Sequence, residues 1–287
     1  MRALIFGGTG MLGRAVVREA RVRGRAALAL SRAQADVTDR DRVLYWAETF
    51  RPSLVINCAA YTKVDDCETN RDHAFAVNGE AVSVLAEAAR RVDARLVQVS
   101  TDYVFDGKGD RPYKEDDETA PLSVYGASKL EGERRALEHP GSLVVRASWL
   151  FGPGGPNFVA TMVRLMDEGR TLRVVDDQEG CPTYTPFLAR ALWDLTDRHA
   201  EGIYHYRNRE PVTWYRFASE IAQVWNRDAE VVPVTSEEFP RPAPRPAWSV
   251  LDVERFEALT GRRVEPWGLG LVDYLATCQR DLQRREA

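Results

Sequence analysis

The chain has 287 residues, 44% of them hydrophobic and 29% charged, with a formal net charge of −4 and an isoelectric point near 5.7. A chain of this length can bury a large core and divide into a bigger and a smaller lobe, while its acidity argues against a nucleic-acid binder. No stretch is apolar enough to span a membrane, the first residues read as a strand rather than a targeting leader, and the cysteines at 58, 67, 181 and 278 lack metal-ligand spacing, so a cytoplasmic protein with four reduced thiols is expected.

Residues 2–6 are a short apolar run, followed at once by Gly7-Gly8-Thr9-Gly10-Met11-Leu12-Gly13 and then by the helical period of residues 14–20. Glycines at 7, 10 and 13 permit a tight turn, close approach of a pyrophosphate to the backbone and close packing of helix on strand, and the helix N-terminus offers free N–H groups to the anion. Alone this spacing is an ordinary turn. Between a first strand and a first helix it predicts a dinucleotide site. The second strand, residues 26–30, ends in Ser31-Arg32, where an NAD-selective site carries an acid. Arginine suits a 2′-phosphate, so NADPH is the expected cofactor, with NADH as the alternative; a solvated loop residue is the plainer reading of Arg32.

Apolar runs at 54–56, 96–99 and 143–145 each follow a helix-patterned segment. This alternation predicts βαβ units and an α/β fold of the Rossmann type, a doubly wound parallel sheet covered on both faces. The polar segments 57–61, Ser100-Thr101-Asp102 and Ala147-Ser148-Trp149 fall at the carboxyl ends of those strands, where such sheets bind ligands. Residues 1–150 are expected to form the dinucleotide-binding domain and 151–287 a mainly substrate-binding lobe, with the chain returning to the sheet near 202–206. The four prolines of 239–246 exclude a helix, and the two arginines among them suit either a loop facing an anion or a surface linker.

Tyr125-Gly126-Ala127-Ser128-Lys129 has i,i+4 spacing, which on a helix puts phenol and ammonium on one face. A phenol titrates near pH 10, and a neighbouring cation stabilises the phenolate and lowers that value, which is how tyrosine becomes an acid/base catalyst. The pentapeptide alone also fits a packed tyrosine beside a solvated lysine.

Taken together, GGTGMLG at 7–13, NCAAYTKVDDCE at 57–68, VN at 77–78, STDYVFDG at 100–107, PLSVYGASKLEGE at 121–133 and DDQEGCPTYT at 176–185 resemble the extended short-chain dehydrogenase/reductases, and within these the dTDP-4-dehydrorhamnose reductase family, over nearly the whole chain. The resemblance implies NADPH-dependent reduction of the C4 ketone of a dTDP-sugar, dTDP-4-dehydro-L-rhamnose, to dTDP-L-rhamnose for rhamnose-containing polysaccharides. It implies Tyr125 as the acid that protonates the C4 oxygen, Lys129 as the group that binds the nicotinamide ribose and lowers the tyrosine pKa, and Thr101 as a second hydroxyl donor to the carbonyl. Cofactor contacts are implied for Gly7, Thr9, Gly10, Met11, Leu12 and Gly13 of the turn, for Ser31 and Arg32, for Asp36 and Val37 at the adenine, and for Ala59, Ala60 and Tyr61 as a wall, beside Tyr125 and Lys129. Val64, Thr101, Asp102, Tyr103 and Trp149 are implied on the substrate side. No metal site is expected, because the carboxylate that some relatives place two residues after the last glycine is Ala15 here; magnesium on the diphosphate and a homodimer stay open. The alternatives are a nucleotide-sugar epimerase or dehydratase of the same superfamily, and a non-catalytic regulatory subunit like that of methionine adenosyltransferase.

Overall fold

The computed structural model describes residues 1–226 and 228–286. Strands β1 (Arg2–Phe6), β2 (Ala26–Leu30), β3 (Leu54–Asn57), β4 (Arg95–Thr101), β5 (Leu143–Ala147) and β6 (Gly202–Tyr206) form one parallel sheet in the order β6-β5-β4-β3-β1-β2. The direction of winding reverses between β1 and β3, which opens a crevice at the carboxyl edge of the sheet. Register sets what meets there. Phe6 lies opposite Leu30 and Asn57, and Thr101 lies opposite Ala147, so the glycine turn, the 57–61 segment, the 100–102 segment and Ser148-Trp149 all leave the sheet on that edge.

Both faces of the sheet are covered, which explains the near-continuous apolar strands. Ala3, Ile5, Ile56, Val97 and Val145 pack on one side with α1 (Met11–Val22) and the helix Thr185–Asp197. Trp193 of that second helix is fully buried and donates its indole N–H to Val16 O at 3.1 Å, joining the two helices; truncating it to alanine should cost roughly 3–5 kcal/mol. Leu4, Phe6, Val55, Leu96 and Val144 pack on the other side with α2 (Arg40–Phe50), α3 (Ala81–Arg91) and α4 (Val124–Leu137).

A second core lies outside the sheet. Phe151, the helices Phe158–Asp167 and Trp214–Trp225, the start of the helix Trp267–Glu286, and the parallel pair Leu172–Val175 with Val231–Val234 enclose it. No helix among the described residues is long and apolar enough to cross a membrane.

The start of α4 decides where the tyrosine stands. Ser123 caps the helix by accepting the Gly126 N–H at 3.2 Å, and Gly126 presses against the turn Asp102–Val104. A Cβ on Gly126 would stand 2.1 Å from Tyr103 O, so glycine is required for this contact, and with it the approach of α4 to the end of β4.

Candidate active site

Two adjoining hollows of about 210 and 320 Å³ share Gly10, Cys58, Ala59 and Ala60 and form one trough along the carboxyl edge. Gly7, Thr9, Arg32, Asp36, Val37 and Tyr61 line the first; Met11, Leu12, Ser100, Tyr125 and Lys129 line the second. Gly7 adopts φ +68°, and a Cβ on it would stand 2.6 Å from Ala59 N, so the glycine turn and the 57–61 wall are in direct backbone contact. Gly13 has the same tightness from the helix side, 2.2 Å from Gly7 O. No side chain caps α1, which leaves the N–H groups of its first turn to an anion in the trough. The geometry fits a dinucleotide pyrophosphate.

At the far end of the first hollow, Arg32 is 76% exposed and bonds Asp36 Oδ2 through Nε at 2.9 Å. Burial works to raise the Asp36 pKa, but hydrogen bonds from Thr38 and from Arg32 prevail and hold it below the usual carboxylate range. Ser31 is turned to Gln34, whose Oε1 accepts from both its N–H and its hydroxyl at 2.9 Å.

Thr101 ends β4, and its hydroxyl donates to Asp102 Oδ1 at 3.0 Å while accepting the Tyr103 N–H at 3.2 Å. Tyr125, half-buried on α4, meets the Tyr103 ring edge to face at 5.7 Å. One turn on, Lys129 is buried and donates to Val99 O at 2.6 Å. Burial pushes its pKa down to about 8, against the attraction of Glu133 and Cys58. In this structure Lys129 is not among the groups that shift the Tyr125 pKa. Burial pushes the Tyr125 phenol up, Asp102 reinforces the shift, and only the Thr101 hydroxyl opposes it. The physical reason is desolvation: a phenolate here would lose its water, and the ammonium is bonded to a backbone carbonyl instead. Asp102, also buried, is pushed up to about 7 by the same desolvation.

Of the residues expected to meet the substrate, Val64 opens the short helix Val64–Thr69, and its neighbour Asp65 holds the 239–246 loop. Asp65 accepts from Arg241 Nε at 3.0 Å, Arg245 Nη2 at 2.9 Å and Ala243 N at 3.2 Å. The anion faced by the two loop arginines is therefore a carboxylate of the protein itself. Burial opposes its ionisation, yet the Ala243 N–H and the two guanidinium groups keep Asp65 below the ordinary range. Tyr103 lies within the electrostatic reach of Asp102, Arg245, Tyr125 and Asp65, which connects this cluster to the tyrosine. Trp149 leaves the sheet two residues past Ala147 and packs at the margin of the second core.

One positioning residue escaped the sequence reading. Asn78 sits in a π-helical turn, Ala76–Glu80, and is buried; its Oδ1 accepts the Tyr61 N–H at 2.8 Å, and its Nδ2 donates to Tyr61 O and to Ser128 Oγ, each at 3.0 Å. It ties the 57–61 segment to α4. The dipeptide at 77–78 was a signal in the motif pattern, but nothing local assigned it a role. Cys58 and His73, also unassigned, line the trough. Ala15 opens on a separate hollow of about 460 Å³ with Arg14, Arg18 and Arg190, and among the described residues no group of three His, Cys, Asp or Glu is placed to hold a metal ion.

Three comparisons bear on this geometry. The family model described as the RmlD substrate binding domain matches residues 1–280. A dTDP-4-dehydrorhamnose reductase of Streptomyces griseus is 44% identical, over 97% of this chain and 95% of its own. Among solved structures, a dTDP-4-dehydrorhamnose reductase from Clostridium acetobutylicum is similar with a TM-score of 0.94 at 40% identity, covering 97% of this chain and 100% of that one. Another from Bacillus anthracis, in complex with NADP, has a TM-score of 0.92 at 37% identity, covering 96% and 99%.

Proposed function

The chain belongs to the RmlD substrate binding domain family, and from that premise we propose that it is an NADPH-dependent oxidoreductase that reduces the C4 ketone of dTDP-4-dehydro-L-rhamnose to dTDP-L-rhamnose. The observation that carries the reading is that Tyr125 and Lys129 line the same hollow as Gly10, Met11 and Leu12 of the glycine turn. Neither the epimerase or dehydratase reading nor the regulatory-subunit reading is favoured by relatives that are reductases over nearly their whole length.

NADPH, when bound, supplies the hydride that reaches C4. The protein's part is binding, orientation and the proton. The glycine turn and the first turn of α1 receive the pyrophosphate, Arg32 the 2′-phosphate, and Lys129 the nicotinamide ribose. Tyr125, a neutral phenol, gives its proton to the C4 oxygen as negative charge builds there, and the Thr101 hydroxyl, turned away from Asp102 Oδ1, donates a second hydrogen bond to the same oxygen. Val64, Asp102, Tyr103 and Trp149 border the sugar nucleotide, with the second core, around Phe151, Phe158–Asp167 and Trp214–Trp225, as the lobe that closes on it. The diphosphate takes the two arginines that Asp65 now holds. Four cysteines that form no disulfide among the described residues suit a reducing compartment, and we place the protein in the cytoplasm.

The test is an assay offering dTDP-4-dehydro-L-rhamnose with NADPH or NADH, followed by loss of reduced-nicotinamide absorbance. One cofactor oxidised per sugar reduced, with NADPH preferred, is expected. A protein that oxidises neither cofactor with any nucleotide sugar overturns the reading.

A further inference from the structure

Trp149 has φ +46°, a left-handed conformation that a bulky side chain rarely adopts, at the point where the chain leaves β5. Its indole is held from both sides. One face lies on Trp214, with ring centroids 3.5 Å apart and planes 4° from parallel, a fuller overlap than aromatic pairs adopt when free to choose. Phe158 packs against Trp214 in turn, at 4.6 Å. The other face lies on Gly180. A Cβ there would stand 2.5 Å from Cε2 and 2.7 Å from both Nε1 and Cζ2, and near-equal distances to three consecutive ring atoms put the glycine over the ring plane rather than at its rim. The stack leaves no room for it on the Trp214 side.

With one face on Trp214 and the Nε1–Cε2–Cζ2 side of the other under Gly180, the part of the indole left for a ligand beside these residues is its N–H edge. The edge carries the N–H, which is bonded to no described residue and is not sealed from solvent. Other elements fix the clamp. Thr183 N–H bonds Trp149 O at 3.1 Å, Gly180 is paired antiparallel with Val212, and Trp214 opens a helix capped by Thr213.

We propose that Gly180 and Trp214 are positioning residues of the substrate site, clamping Trp149 so that it meets the sugar nucleotide with its N–H edge and not with a ring face. The partner of that N–H is an acceptor oxygen, on the sugar or on the diphosphate. The ligand's identity rests on the reductase reading; the clamp does not.

Trp149→Phe separates edge from face, because it keeps a flat ring to lie between Trp214 and Gly180 but has no N–H. Its dissociation constant for dTDP-L-rhamnose should rise roughly tenfold, close to the loss in Trp149→Ala, with NADPH affinity unchanged. A Phe variant that binds like the parent, with only Trp149→Ala impaired, would overturn the proposal. Loss shared with dTDP assigns the acceptor to the diphosphate, and loss confined to dTDP-L-rhamnose assigns it to the sugar; either supports the edge contact. Trp214→Leu should weaken the sugar nucleotide severalfold while NADPH still binds, and Trp214→Phe should restore most of it. Stacked indoles also couple optically, so the parent should show a paired circular-dichroism band that Trp149→Phe and Trp214→Leu both lose. A parent without that band refutes the clamp whatever it binds, whereas a parent with the band that binds no nucleotide sugar refutes the reductase reading instead.

Discussion

The two ends of the trough use the same kinds of charged group in opposite surroundings. At the end lined by Asp36 and Val37, Arg32 is 76% exposed and its partner Asp36 30%, so their attraction is screened by water and salt. At the Tyr125 end, Lys129 is 3% exposed and Asp102 2%, and burial, prevailing over opposing charges and hydrogen bonds, moves them to about 8 and about 7. An exposed charge can distinguish ligands while leaving the fold indifferent to it. A buried charge is costly to keep, and that cost tunes which proton is held and at what pH.

The contrast predicts a gradient of effects. Tyr125→Phe keeps the ring and its packing on Tyr103 but removes the acid, so the turnover number should fall by roughly 10² to 10⁴ with NADPH binding intact. Turnover at the parent rate would remove the catalytic end of the comparison. Lys129→Met should lower turnover and NADPH affinity together, each by about tenfold or more, in stopped-flow and binding titrations, because the proposed mechanism has one ammonium serve ribose and site. Loss of turnover with unchanged cofactor affinity would separate those roles.

Asp102→Asn tests burial itself through thermal unfolding. The folded-state pKa of Asp102 lies above its unfolded value, so its ionisation costs nothing below the unfolded pKa, near 4, and costs most above about 7. The melting temperature of the Asn variant relative to the parent should therefore rise between pH 4 and pH 8, by at least about 3 °C. A difference independent of pH would mean that Asp102 is not held by desolvation. The smallest effect belongs to the exposed end: Arg32→Asp should weaken NADPH relative to NADH by about tenfold in Michaelis constants, less at high salt. Equal losses for both cofactors would make Arg32 a bystander.

The parts legible in the sequence were those with local signals. Strands such as β1 and β3 read as apolar runs because both their faces are buried, and the Tyr125–Lys129 pair shared a face because helical spacing dictates it. Arg146 shows the limit. It lies inside β5, fully buried, and is satisfied by Glu133 of α4 at 2.7 Å, a pairing that hydropathy cannot register. The same holds for Arg241 and Arg245, whose partner Asp65 is far away in the chain, and for the bond that takes Lys129 to Val99 O. Local patterns placed these groups near the site, but only tertiary contacts determine what each one touches. Gly180 fell within the 176–185 motif and Trp214 within none, but nothing local gave either its role, since that depends on a third residue between them.

The sixth strand has a consequence for the order in which the protein can be made. β6 closes the sheet against β5, and the helix Thr185–Asp197 covers the sheet face that carries Ile5, Ile56 and Val145, yet both are translated after the chain has left to begin its second core. A nascent chain that has emerged only as far as Ala147 has an open strand edge at β5 and an apolar face still without Leu188, Leu192 and Trp193. At ribosomal speeds that interval lasts on the order of ten seconds, and it is during that wait that the emerging chain is most open to aggregation and most in need of a chaperone.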